Sequence, residues 1–153
     1  MIRLREATEN DISQILEIER EAISPPWTHG ALLSEIYKDD SFFVVAANGA
    51  NDSSLCPVLG FAVLRRVGDD GELLQIAVDR KARRIGVGSL LMADVLDYAE
   101  KSALKSVFLE VRRSNTAAIG LYKKHGFTSV RIRKDDYNDP VEDAVVMVKT
   151  LLH

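Results

Sequence analysis

Arg83, Arg84, Gly86 and Gly88 stand in the order R-R-I-G-V-G, with Ser89 next, between an apolar run that ends at Val78 and a stretch of helical periodicity. A strand that gives way to a helix through such a loop aims unpaired backbone N–H groups and the positive end of the helix dipole at one spot. Glycines keep that spot clear of side chains. The chemistry on offer is anion binding, of a pyrophosphate above all. Two phosphate loops are excluded. No lysine follows the second glycine, as G-x-x-x-x-G-K-[ST] requires, and Leu91 stands where G-x-G-x-x-G needs its third glycine. The same spacing also suits a plain glycine-eased turn with solvated arginines.

Glu110 is the second candidate. In S-V-F-L-E-V (106–111) a pleated strand turns Val107, Leu109 and Val111 to one face and Phe108 and Glu110 to the other, placing a carboxylate in a strand of otherwise buried character. Either it pairs with Arg112 or Arg113 at the strand end, or it is a general base whose proton affinity apolar surroundings raise. Tyr122 shares a helix face with Ala118 and Leu121. It is either a core aromatic or a proton donor, since a phenol with a pKa of about 10 stays protonated at neutral pH. Asn115 opens the same helix, where asparagine caps. Cys56, His29, His125 and His153 lie in no motif for nucleophilic catalysis, and no His/Cys spacing suggests a metal, so none is expected.

The elements that must position these residues alternate in type. I-R-L-R-E-A reads as a strand, and the next segment as a helix with Ile12, Ile15, Leu16 and Ile18 as its stripe and Thr8 or Asn10 as cap. A short helix over T-H-G-A-L-L-S-E-I-Y-K-D and a buried strand S-F-F-V-V-A-A-N follow, then a polar loop at 49–57. V-L-G-F-A-V-L-R-R-V and G-E-L-L-Q-I-A-V form a hairpin through G-D-D-G. After the glycine loop comes a long helix with Leu91, Met92, Val95, Leu96, Tyr98 and Ala99 inward. The strand with Glu110, the helix with Tyr122 stopped by Gly126, and two closing strands, F-T-S-V-R-I-R-K and D-A-V-V-M-V-K-T-L, complete the chain. This order predicts a mixed sheet with helices on both faces, parallel only at its middle crossovers.

A chain of 153 residues, 46% apolar and 28% charged, suffices for one core and is short for two, so a single domain over 1–153 is expected. Its net charge of −3 argues against direct nucleic-acid binding by the whole surface. Acids gather at Glu6, Glu9, Asp11, Glu17, Glu19 and Glu21 and again at 135–143, bases at 79–84, 112–113 and 123–125; each run alone reads as a solvated face. One cysteine excludes an internal disulfide and fits a reducing compartment, and no long apolar segment suggests a leader or a membrane span. A cytoplasmic monomer is the expectation.

The signature Arg83-x-x-Gly86-x-Gly88 resembles the Arg/Gln-x-x-Gly-x-Gly/Ala motif of the GNAT superfamily of acetyl-CoA-dependent N-acetyltransferases. L-E-V-R-R-S-N-T-A-A-I-G-L-Y-K-K-H-G-F (109–127) is similar to the L-E-V-R-x-S-N-x-x-A-x-x-L-Y-x-x-x-G-F block of the RimI-type ribosomal-protein alanine N-acetyltransferases. P-W-T (26–28) and V-E-D-A-V-V-M (141–147) resemble that group as well, and the element order matches over essentially the whole chain. The resemblance implies an α/β (α+β) GNAT fold, a mixed and mostly antiparallel twisted sheet of about seven strands flanked by four helices. It implies acetyl-CoA as cosubstrate, with the pantetheine along Ile76, Ala77 and Val78 and the pyrophosphate on Arg83, Arg84, Ile85, Gly86, Val87, Gly88 and Ser89. Asn115 then also faces the cofactor, Glu110 is the general base, and Tyr122 protonates the leaving thiolate.

The acceptor that this resemblance implies is a protein N-terminus, that of a basic ribosomal protein beginning with Ala, walled by Trp27 and Tyr137 and attracted by the acidic runs. A small-molecule amine as acceptor, or a non-catalytic acyl-CoA module, stay open beside it. Two departures bear on the acceptor: Asp136 stands beside Tyr137 where the group has paired aromatics, and the 49–57 connection is longer than a hairpin needs.

Overall fold

The structure is a computed structural model that describes residues 1–49 and 56–151. Most of the polar connection expected at 49–57, and His153, lie outside the described residues. Along the chain run β1 (Ile2–Glu6), α1 (Ile12–Ala22), α2 (His29–Ile36), β2 (Ser41–Asn48), β3 (Val58–Val67), β4 (Asp70–Val78), α3 (Val87–Lys101), β5 (Ser106–Arg112), α4 (Thr116–Lys124), β6 (Thr128–Tyr137) and β7 (Glu142–Thr150). Short 3-10 turns at Glu9–Asp11 and Arg80–Ala82 precede α1 and α3. The seven strands form one sheet in the order β1-β2-β3-β4-β5-β7-β6. Each neighbouring pair is antiparallel except β4 and β5.

Two cores flank the sheet, which is why β2 and β3 are apolar at every position in their middles. Val44, Ala46, Ala62 and Leu64 face α3, where Val87, Leu91, Met92, Val95 and Ala99 meet them. Phe43, Val45, Phe61 and Val63 face α1 and α2, against Ile12, Ile15, Ile18 and Leu32. The inward stripe of α1 differs from expectation at one turn: Glu19, not Leu16, is the fully buried position beside the three isoleucines. Gly60 lets α3 come close, since a Cβ there would meet Ala77 O at 2.8 Å and Leu91 Cδ1 at 3.1 Å. The hairpin between β3 and β4 turns on Gly68, whose φ of +62° suits a residue without a side chain.

The feature that makes a site is a divergence. β4 and β5 pair only through Gly71 with Val107 and Glu72 with Phe108, and beyond these residues the two strands separate. On its other edge β4 stays paired with β3 as far as Val78. Residues 73–78 therefore present backbone N–H and C=O groups along an edge that β5 leaves uncovered.

Candidate active site

Gly86 caps α3 with φ +86° and ψ +11°, a left-handed conformation that disfavours any side chain. The first helical bond is donated by Leu90 N to Gly86 O at 3.0 Å, which leaves the amides of Val87, Gly88 and Ser89 outside the ladder at the positive end of the helix. Arg84 also has a positive φ, +70°, so the loop is bent twice to bring these groups round. Lys124 Nζ lies 3.4 Å from Ser89 Oγ and adds positive charge at the same end, while His125 Nε2, 3.3 Å from the same hydroxyl, is held toward its neutral form by burial and by Lys124 and Lys149. The basic run at 123–125 was the signal for that contribution.

A cavity of about 840 Å³ opens between the separated strands. Ile76, Ala77 and Val78 line one side, the loop and first turn of α3 (Arg83, Arg84, Gly86, Val87, Gly88 and Ser89) close one end, and Asn115, Ala118, Leu121 and Tyr122 of the α4 segment form the opposite wall. Asn115 caps α4 as expected, its Oδ1 accepting from Ala118 N at 3.2 Å. Ile85 differs: its side chain is 60% exposed and lines a separate depression with Met1 and Ile2, so only its backbone belongs to the loop. Glu110, Trp27 and Tyr137 are not on the cavity wall.

Glu110 lies on β5 two residues beyond the last β4 pairing, on the face opposite buried Leu109 and Val111. Its ion-pair partner is Arg133 of β6, at 3.0 Å, rather than Arg112 or Arg113. Those two are engaged elsewhere, Arg112 with Glu142 and Arg113 with Asp143. The Glu110 carboxyl is held above the ordinary glutamate value, first by burial, then by a hydrogen bond and like charge from Asp136, against the pull of Arg133. The register change in β6 between Arg133 and Tyr137 is what brings Asp136 there, across β7 from β5.

Tyr122 is 7% exposed and tilts against Phe127 with ring centroids 5.9 Å apart, so it is core aromatic and cavity wall at once. Burial raises its phenol well above the usual tyrosine value, and Tyr137 adds to the effect. Tyr137 is half-buried, with the Arg112 guanidinium 4.5 Å from its ring centroid, and burial together with Glu110 pushes it up to about 12. Arg112, expected only as a possible partner of Glu110, is a clamp. It donates to Ser24 O at 2.7 Å, Asn138 O at 2.8 Å and Pro140 O at 2.8 Å, fastening the α1–α2 connection to the β6–β7 turn. Trp27, in that connection, packs on the second core rather than standing free.

The acetyltransferase (GNAT) family model matches residues 12–127, a span that runs from α1 to just past α4 and includes the whole cavity. The chain belongs to the GNAT acetyltransferase family. The [ribosomal protein bS18]-alanine N-acetyltransferase of Escherichia coli strain K12 is 34% identical over 139 residues, covering 90% of this chain and 89% of that protein. An N-alpha-acetyltransferase of Sulfurisphaera tokodaii is 33% identical over 156 residues, covering 97% and 93%. The crystal structure of the Escherichia coli ribosomal-protein-S18-alanine N-acetyltransferase superposes with a TM-score of 0.86 at 29% identity, over all of this chain and 96% of that one. The GNAT fold expected from the motif is the fold observed, with its seven strands and four α-helices. Among the described residues no helix is long and apolar enough to cross a membrane.

Proposed function

We propose that this acetyltransferase transfers an acetyl group from acetyl-CoA to the α-amine of a protein N-terminus, that of a ribosomal protein beginning with Ala. The likeness to bS18-alanine N-acetyltransferases over nine-tenths of the chain supports the acceptor. The observation that carries the chemistry is the separation of β4 from β5, with an uncovered strand edge and a bare helix N-terminus arranged around the cavity that opens there.

The residues fit the cosubstrate. Gly86 leaves open space where a Cβ would stand, the amides of Val87, Gly88 and Ser89 with Arg83 and Arg84 suit a pyrophosphate, and the backbone of Ile76 to Val78 suits an amide-bearing arm laid alongside as an added strand. Bound there, acetyl-CoA supplies an activated acyl group, and no covalent enzyme intermediate is needed. Glu110 accepts a proton at its carboxylate from the acceptor ammonium. Tyr122, kept protonated by its burial, holds a proton for a departing thiolate. Free N–H groups of β4 are available to a developing oxyanion.

One carboxylate base suits an N-terminus better than a lysine. An α-ammonium has a pKa of about 8 and a lysine ammonium about 10.4, so deprotonating the former costs roughly 3 kcal/mol less. Glu17 and Glu21 on α1 and the acids at 135–143 supply a negative rim for a basic chain; Glu19, counted with them in the sequence, is buried and takes no part in it. The deciding experiment offers peptides with a free Ala N-terminus and an internal lysine, with acetyl-CoA, and locates the product by mass spectrometry. Acetylation of the α-amine is expected. Acetyl groups on the lysine, or only on added polyamines, would overturn the acceptor assignment.

A further inference from the structure

Three carboxylates are buried among the described residues. Asp11 faces Arg5 and Glu35 faces Arg65, so each has a cation. Glu19 has neutral partners instead. Its Oε2 accepts from the backbone N–H of Trp27 at 3.1 Å, and its Oε1 accepts from the side-chain amide of Gln75. The Gln75 amide is assigned in the orientation that satisfies both neighbours, its oxygen accepting from Trp27 Nε1 at 2.7 Å. Glu19, Gln75 and Trp27 thus close a ring of three hydrogen bonds, and the chemistry proposed above uses none of them.

The location gives the ring a use. Gln75 precedes Ile76 on the part of β4 that β5 leaves uncovered, whereas Trp27 sits in the α1–α2 connection that Arg112 clamps at Ser24. Thr28, next in the chain, caps α2 by accepting from Ala31 N at 3.1 Å. We propose that the Glu19–Gln75–Trp27 ring fixes the acceptor side of the active site to the strand that holds the acyl donor, with Glu19 as a positioning residue that touches no reactant. This rests on the reading of Trp27 as part of the acceptor wall. Direct transfer between two bound reactants depends on their separation, so a bridge between the element that walls one and the strand that carries the other acts on the reaction through geometry.

Donor and acceptor counting makes the proposal sharp. Position 19 must accept twice, and position 75 must donate once and accept once. Glu19→Gln turns an N–H₂ toward one of two donors, and Gln75→Glu sets two carboxyls face to face, so at a pH that ionises both carboxyls each single variant breaks the ring. The double variant E19Q/Q75E restores it: the amide now at position 19 accepts from Trp27 N and donates to the carboxylate now at position 75, which accepts from Trp27 Nε1.

Trp27 is the only tryptophan of the sequence, so its emission reads the ring without substrate. Both single variants are expected to shift that emission and to raise KM for an Ala-initiated peptide by about tenfold, the scale of one lost charge-assisted hydrogen bond, while KM for acetyl-CoA stays within about twofold. The double variant is expected to return emission and acceptor KM close to wild type, and it remains informative where a single variant fails to fold. Unchanged emission in the singles, a shifted emission with unchanged acceptor KM, or a double variant worse than either single would each overturn the proposal. If wild-type protein acetylates no N-terminal peptide, the reading beneath it fails and the proposal fails with it; the substrate-free emission tells that outcome apart from loss of the ring.

Discussion

Glu110 lies among opposed charges, and burial, the largest influence on its carboxyl, tips their balance toward the protonated form. Asp136 and Glu72 favour its protonated form, Arg133 favours the anion, and the half-buried Tyr137 hydroxyl lies close enough to be raised by it. A general base works only when ionised, so kcat/KM should fall as pH drops through a value above the ordinary glutamate range. Arg133→Gln removes the stabiliser of the anion and should move that acid limb to higher pH. Asp136→Asn removes a like charge and should move it lower. Limbs that move together, or not at all, would show that this carboxylate is not the titrating base. Glu110→Gln should lower kcat roughly tenfold to ten-thousandfold while leaving acetyl-CoA affinity nearly intact, and unimpaired turnover would return the residue to a structural ion pair.

Glycines at the element scale divide by what surrounds them. Gly60 on β3 is pressed by Ala77 O, a backbone atom that cannot turn aside, and by Leu91 and Val87 of α3. Gly60→Ala should destabilise by about 1–3 kcal/mol and loosen α3, which carries the glycine cradle at its start. Gly120 in α4 has nothing within 4 Å of the point a Cβ would occupy, and Gly120→Ala should stabilise by up to about 1 kcal/mol through helix propensity and a restricted unfolded chain. Denaturant midpoints of the two variants check this: equal shifts, or shifts in the same direction, would contradict the packing described for α3. Asn115 shows one residue meeting two demands, since capping α4 also places it on the cavity wall.

Buried carboxylates of the whole molecule set opposing pH slopes. Burial raises Glu19 to about 7, against hydrogen bonds from Trp27 and Gln75 that lower it. Its folded value lies above its unfolded one, so its contribution is fully present below about pH 4.5 and is lost as pH rises toward 7, on the order of 3 kcal/mol in all. Asp11 and Glu35 act in the other direction. Burial opposes their ionisation, but hydrogen bonds and charge from Arg5, and from Arg65 and Lys38, outweigh it and lower both, so their contribution is present above the ordinary carboxylate values and lost as pH falls through the folded ones. Melting temperature should therefore peak at about pH 4.5 and decline from there toward pH 7, and Glu19→Gln should flatten that decline. A wild-type melting temperature that climbs steadily beyond pH 7, or an unchanged slope in the variant, would refute the assignment. By itself the sequence determined what depends on near neighbours: hydrophobic periods gave the element order, glycine spacing the tight turn that opens α3, and strand alternation the face of Glu110. Glu19 read as one of the solvated acids, and only the packing of α1 showed that it continues the apolar stripe four residues beyond Ile15. Only tertiary structure decided that β6 lies beyond β7, bringing Arg133 and Asp136 to Glu110, and that β4 and β5 part after one short pairing. Those contacts join residues from strands far apart in the chain, and they are set by how the sheet closes over its two cores, a balance that no local run of residues encodes.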